Sequence, residues 1–134
     1  MIDTRTPIAL QTNKKHDAGV TFLKEIDENK LLTGSYDCSL KTWDRRKLNT
    51  EIDSLYTERQ IWDLKFNTYN DDAQDFNFSI ACVYDGYQFG NMDKDFTLSN
   101  LTLELYEGHE SICYANEFTK DGNILTSSFY DSTL

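Results

Sequence analysis

LLTGSYDCSLKTWDRR, Leu31–Arg46, holds two short β-prone runs joined through Tyr36-Asp37 and closed by Trp43-Asp44. The Tyr-Asp pair returns at Tyr84-Asp85 and Tyr130-Asp131, so its three aspartates stand 48 and 46 positions apart. An apolar residue followed by Asp keeps the same beat at Ile2-Asp3, Trp43-Asp44 and Met92-Asp93. Self-similarity at this period marks a repeat array, with a unit the length of a four-stranded propeller blade.

Working outward, almost no segment sustains helical periodicity for three turns, whereas short β-rich runs separated by polar turns recur throughout. Around the opening stretch, strands are expected at 18–22, 31–35, 39–43 and 51–56, with a turn over 26–30. The plan repeats at 61–66, 78–83, 87–92 and 101–106. Two polar insertions, NTYNDDAQDFN at 67–77 and DKDFTLSN at 93–100, read as solvated loops. A third unit begins at 111–118 and 123–128, split by the Asp-Gly hairpin signal of Lys120-Asp121-Gly122.

The fold class that follows is all-β: an incomplete propeller of about two and a half blades, each a four-stranded antiparallel sheet, where closed rings have about four to eight. Residues 1–12 read as the end of a preceding blade, 13–58 and 59–108 as blades, and 109–134 as an unfinished one. Both ends therefore cut through a repeat, and open sheet edges are expected to make such a chain depend on a missing portion.

Of 134 residues, 13 are Lys or Arg and 23 are Asp or Glu, a formal charge of −10. No positive stripe is present for phosphate, so a nucleic-acid partner is not expected. The three cysteines, Cys38, Cys82 and Cys113, have no C-x-x-C spacing and read as reduced core residues, which predicts a cytoplasmic protein. No apolar run approaches membrane-spanning length, so no membrane partner is expected. Two histidines 93 residues apart are a poor metal site, the glycines form no phosphate fingerprint, and no cofactor is expected. Asp71, Asp72 and Asp75 lack the ligand spacing and turn glycine of a calcium loop.

His16 before the first strand, Ser35 at the end of the second, Asp37 in the turn and Trp43 closing the third together resemble the WD-repeat pattern. The resemblance implies that Asp37 accepts from His16, that His16 contacts the Ser35 hydroxyl, and that Ser35 reaches the Trp43 indole. His16 is then a structural residue and not the base of a catalytic triad, since no G-x-S-x-G elbow accompanies it. The third unit keeps His109 and Asp131 but places Phe129 where Ser35 would stand, which predicts an incomplete network. The middle unit keeps Asp85, lacks a histidine before Ile61 and carries Met92 at the Trp position.

Within WD repeats the chain resembles one family, the diphthine methylesterases of the diphthamide pathway. The opening stretch carries this likeness, and further matches follow in order. RQIWDLKF at 59–66 resembles V-W-R-I-K-W, IACVYDGYQF at 80–89 resembles A-C-M-x-x-G-F, HESICYANEF at 109–118 resembles H-x-S-L-x-Y-G-A-D-W, and SSFYDSTL at 127–134 resembles the S-F-Y-D run. The chain departs from the pattern at Ala115-Asn116-Glu117-Phe118. The similarity would correspond to the last part of a full-length member.

The resemblance implies hydrolysis of the methyl ester of methylated diphthine on elongation factor 2, with that protein as partner. It implies no catalytic set. Diphthine carries a quaternary ammonium, which aromatic faces attract, and the chain has two Trp, eight Tyr and eight Phe. Tyr36, Tyr84 and Tyr130, each just before a turn aspartate, with Trp62 beside them, are the expected substrate-facing residues. A noncatalytic WD-repeat scaffold for protein partners is the alternative.

Overall fold

A computed structural model of the chain describes residues 14–67, 76–104 and 109–132, together with short strands at 2–3 and 8–9. Among the described residues there is no helix. Strands β1 (Ile2–Asp3) and β2 (Ile8–Ala9) pair antiparallel. A first four-stranded meander contains β3 (Val20–Asp27), β4 (Lys30–Ser35), β5 (Ser39–Asp44) and β6 (Glu51–Tyr56). A second contains β7 (Ile61–Phe66), β8 (Phe76–Cys82), β9 (Gly86–Met92) and β10 (Leu98–Glu104), and β11 (Cys113–Phe118) pairs with β12 (Ile124–Ser128). The sheets are successive blades, with β3 against β7 and β7 against β11.

The core lies between sheets. Side chains alternate across a strand, and β8 is buried on both faces because it has a neighbour on each. Phe78, Ile80 and Cys82 join Leu32, Leu40, Ile61 and Leu64 in the cluster between the first two blades. Ser79 and Ala81 face the other way, where Ser79 Oγ donates to Asn116 Oδ1 at 2.9 Å and Ala81 packs with Tyr87 and Cys113. The near-continuous apolar run FSIACV is the sequence form of a strand covered twice. Cys82 and Cys113 are buried and unoxidised, and burial pushes the Cys82 thiol up to about 12.

Hydrogen bonds also cross between blades. Thr21 Oγ1 donates to the Ile61 carbonyl at 2.7 Å, Gln88 Nε2 to the Thr57 carbonyl at 2.9 Å, and the Leu98 amide to Asp53 Oδ2 at 2.8 Å. The buried Tyr87 hydroxyl lies 3.2 Å from the Ala115 carbonyl and 2.9 Å from that of Ser127, in β11 and the partner strand β12.

The first strand differs from expectation. It runs from Val20 to Asp27, not 18–22, because β4 pairs with it to Asp27↔Lys30, leaving only Glu28 and Asn29 in the turn. Asp27 Oδ1 accepts from the Asn29 amide at 2.7 Å, so the polar run signals the end of the strand rather than a longer loop. Likewise β10 starts at Leu98, inside the presumed insertion, where the Asp53 carboxylate takes its amide. The Asp71-Asp72-Asp75 group lies outside the described residues.

Gly34 marks a close approach of the first blade to the second. A Cβ there would stand 2.8 Å from Ile61 Cγ2 and 3.4 Å from both Leu40 Cδ2 and Phe22 Cβ. Gly34→Ala is expected to lower the unfolding free energy by about 1–3 kcal/mol through overpacking. A denaturant melt with an unchanged midpoint would contradict this contact.

Candidate functional site

Each Tyr-Asp pair sits in a tight turn whose third residue has positive φ: Cys38 at 63°, Gly86 at 79° and Ser132 at 56°. In the first two turns this left-handed residue leads the chain into the next strand. For Cys38 this conformation costs about 1 kcal/mol relative to glycine. Cys38→Gly should therefore raise the melting temperature, and a lowered one would show that Cys38 packing outweighs its backbone strain.

The aspartate holds the turn. Asp37 Oδ2 accepts from His16 Nδ1 at 2.8 Å and from the Asp17 amide at 2.9 Å, while Oδ1 accepts from the Ser39 amide at 3.0 Å and from the Ser39 hydroxyl. His16 Nε2 then meets Thr33 Oγ1 at 2.7 Å, and Trp43 Nε1 donates to the same oxygen at 2.8 Å. With Nδ1–H directed at Asp37, the Thr33 hydroxyl donates to Nε2, and the network assigns the tautomer. The Thr33 hydroxyl is buried and also accepts from the Trp43 indole, so the His16 ring is tied into a structural network.

Ser35 is thus not the link between His16 and Trp43; Thr33 is. Trp43 stands opposite Leu31 in the β4–β5 register, so Thr33 is two positions from it and Ser35 four. At about 3.3 Å per residue, Ser35 is about 13 Å along the strand, beyond the indole's reach. Its hydroxyl instead donates to the Gly19 carbonyl at 3.0 Å and accepts from the Asp37 amide at 3.1 Å.

The third unit needs the same correction. Cys113↔Ser128 matches Val20↔Ser35, so Ser128, not Phe129, is the Ser35 equivalent. Thr126 fills the Thr33 role, 3.0 Å from His109 Nε2, with His109 Nδ1 3.2 Å from Asp131 Oδ2 and the Glu110 amide donating to that oxygen at 2.9 Å. The His–Asp–Thr part of the network is present. In the middle unit Arg59 replaces the histidine, its Nη1 3.0 Å from Asp85 Oδ1.

Burial pulls the Asp37 carboxyl upward, but hydrogen bonds from Ser39, the Asp17 amide and His16 outweigh it and hold the group at about 2. A carboxyl depressed by folding contributes stability above its unfolded value of about 4, and loses it as pH falls through the folded value. The contribution here is about 2 kcal/mol. The unfolding free energies of the wild-type chain and Asp37→Asn should converge as pH falls from about 4 to about 2. A constant gap over that interval in acid-titrated melts would contradict the assignment.

The turns assemble an aromatic face. Tyr36 lies 5.9 Å from Trp62, Trp62 4.9 Å from Tyr114, Tyr114 5.3 Å from Phe129, and Phe129 4.7 Å from Tyr130, all between ring centroids. The stack therefore crosses all three blades. Three expected residues, Tyr36, Trp62 and Tyr130, are brought together in it. Tyr84, 74% exposed, is not one of the stacked rings but lies within electrostatic reach of Tyr36. Burial, with the neighbouring Tyr84 and Tyr114, raises the Tyr36 hydroxyl, which keeps this ring neutral at physiological pH.

Tyr114 and Phe129 were not expected. Trp62 and Tyr114 are each the second residue of their blade's first strand, following Ile61 and Cys113, so positional matching between units could have found Tyr114. Phe129, expected at the position of Ser35, is 56% exposed.

Elsewhere, a cavity of about 650 Å³ lies over the first blade, with Val20, Leu23, Leu31 and Trp43 in its lining. Lys14, His16, Glu25 and Arg45 border it as well. Among the described residues no group of three or more His, Cys, Asp or Glu could hold a metal ion.

Residues 8–44 match the family model "WD domain, G-beta repeat". The fold is that of a WD-repeat propeller. The WD40 propeller of Doa1 superposes with a TM-score of 0.56 at 24% identity, over 84% of this chain and 35% of that one. A chain of the mitotic checkpoint complex gives 0.69 at 16% identity, over 97% and 39%. The designed protein Ika4 gives 0.58 at 23%, over 95% and 76%.

By sequence the chain is similar to human "Diphthine methyltransferase", 28% identical over 69% of this chain and 20% of that protein. It is also similar to "Diphthine methyltransferase homolog" of Dictyostelium discoideum, 30% identical over 98% of this chain and 38% of that protein. The WD-repeat chain thus spans between a fifth and two fifths of the length of these relatives.

Proposed function

We propose that the protein carrying this chain belongs with the diphthine methylesterases and hydrolyses the methyl ester of methylated diphthine on elongation factor 2, in the cytoplasm. The observation that carries this reading is the aromatic face of Tyr36, Trp62, Tyr114, Phe129 and Tyr130, with Tyr84 beside it. Neutral rings attract a trimethylammonium group by about 0.5–2 kcal/mol each according to exposure. The likeness to proteins named diphthine methyltransferase supplies a substrate with that group.

In the reaction water adds to the ester carbonyl carbon, the bond to the methoxy oxygen breaks, and methanol, a carboxylate and a proton result. Activating the water requires a general base, and the developing oxyanion requires donors. This chain's part is to bind and orient: the rings fix the cation, and so fix where the ester carbonyl lies.

A noncatalytic scaffold is the second reading, favoured by the full engagement of the His16 ring in a structural network and by the WD fold's presence in the mitotic checkpoint complex. The two separate in one assay. Incubating the protein with elongation factor 2 bearing methylated diphthine should remove one methyl group from the modified peptide by mass spectrometry. No removal across pH and enzyme concentration would overturn hydrolysis and leave the scaffold. Tyr84→Ala should raise KM about 3- to 10-fold with kcat kept. Unchanged turnover at limiting substrate would remove Tyr84 from the site.

A further inference from the structure

The middle blade departs from its neighbours in one respect that bears on ligand chemistry. In the first and third blades the turn aspartate is paired with a histidine only 7% and 2% exposed, inside the fold. In the middle blade Asp85 pairs with Arg59 instead, and the two side chains are 39% and 36% exposed. A guanidinium carries five N–H donors in a planar fork. The recorded bond to Asp85 uses Nη1, and the pair faces water.

Chain neighbours of this ion pair belong to the rings. Tyr84 precedes Asp85, and Trp62 follows Arg59 by three residues at the start of β7. Tyr36 is 5.9 Å from Trp62, and the Thr57 hydroxyl lies 2.9 Å from the carbonyl of Cys38, two residues beyond Tyr36, and 2.7 Å from that of Arg59. A positive, forked donor and three aromatic faces thus border one patch between the first and second Tyr-Asp turns.

From this juxtaposition we infer that Arg59, with Tyr36, Trp62 and Tyr84, forms a two-point site for a betaine-type group, in which a trimethylammonium and a carboxyl or its ester share a carbon. The rings take the cation, and Arg59 donates to the carbonyl oxygen of the ester and then to the carboxylate produced. Asp85 fixes the guanidinium plane while adding a negative charge on the cation's side. The inference rests on the proposed hydrolase reading for its natural ligand, but the site's chemistry is defined by these four side chains alone.

Arg59 makes the site selective for the carboxyl group, which rings by themselves are not. The test uses glycine betaine, choline, and the neutral isostere of choline in which carbon replaces nitrogen, titrated against the chain by tryptophan fluorescence and ligand-detected NMR. The wild-type chain is expected to bind betaine about tenfold more tightly than choline, as one charge-assisted hydrogen bond provides, and the neutral isostere least. Arg59→Gln should abolish the preference for betaine and leave choline affinity in place. Arg59→Lys keeps a cation opposite Asp85 but loses the fork, and should reduce the preference at least threefold, so the test does not hang on the folding of one variant.

Equal affinity for betaine and choline in the wild-type chain, or a preference that survives unchanged in both variants, overturns the inference. The hydrolase reading fails separately. Betaine preference without demethylation of elongation factor 2 would leave this site standing and remove the ester substrate. Demethylation by a wild-type protein that shows no betaine preference would do the reverse.

Discussion

The Asp37 carboxylate is the constraint on which the first blade depends. It takes hydrogens from two backbone amides, a hydroxyl and an imidazole, and these come from the loop before the blade and from the turn between β4 and β5. The imidazole passes the connection to Thr33, and Thr33 to Trp43 on the third strand. Removing the acid would leave several donors unpaired at a largely buried place, a loss larger than any one of its bonds. Comparison across blades separates what is required from what is free. The acid and the left-handed residue after it recur in all three turns, while the basic partner changes from His16 to Arg59 to His109.

Between blades the controlling quantity is apolar area. A single meander has two faces and cannot bury either alone, so β8 becomes a core strand only through neighbours on both sides. The interface is aliphatic and aromatic packing in its middle, with Thr21, Gln88 and Asp53 satisfying backbone groups across it. That combination fixes the angle between sheets, and the angle places Tyr36, Trp62 and Tyr114, one from each blade, within stacking distance.

Much of this was legible in the amino-acid order, because the Tyr-Asp pairs are local turn chemistry and local chemistry shows itself in local sequence. Strands β6 and β7 fall where alternation and flanking polar residues put them. Ser35 and Thr33 could not be told apart that way: both are small hydroxyl residues on one strand, and the choice between them is made by the register of β5. The aromatic face was half legible. Its tyrosines announce themselves beside the aspartates, but Tyr114 and Phe129 join only through the packing of one sheet on the next, at a spacing that the long second unit disguises.

Tyr87 couples the third pair of strands to the second blade in a way that bears on local opening. Its hydroxyl reaches carbonyls of β11 and β12 at once, from a ring that is itself buried, and burial raises its ionisation far out of the physiological range. Fraying of the β11–β12 ribbon therefore has to release the phenol and uncover the packing of Tyr87 with Ala81 and Cys113. Opening of the ribbon is thereby tied to the second blade through this one phenol.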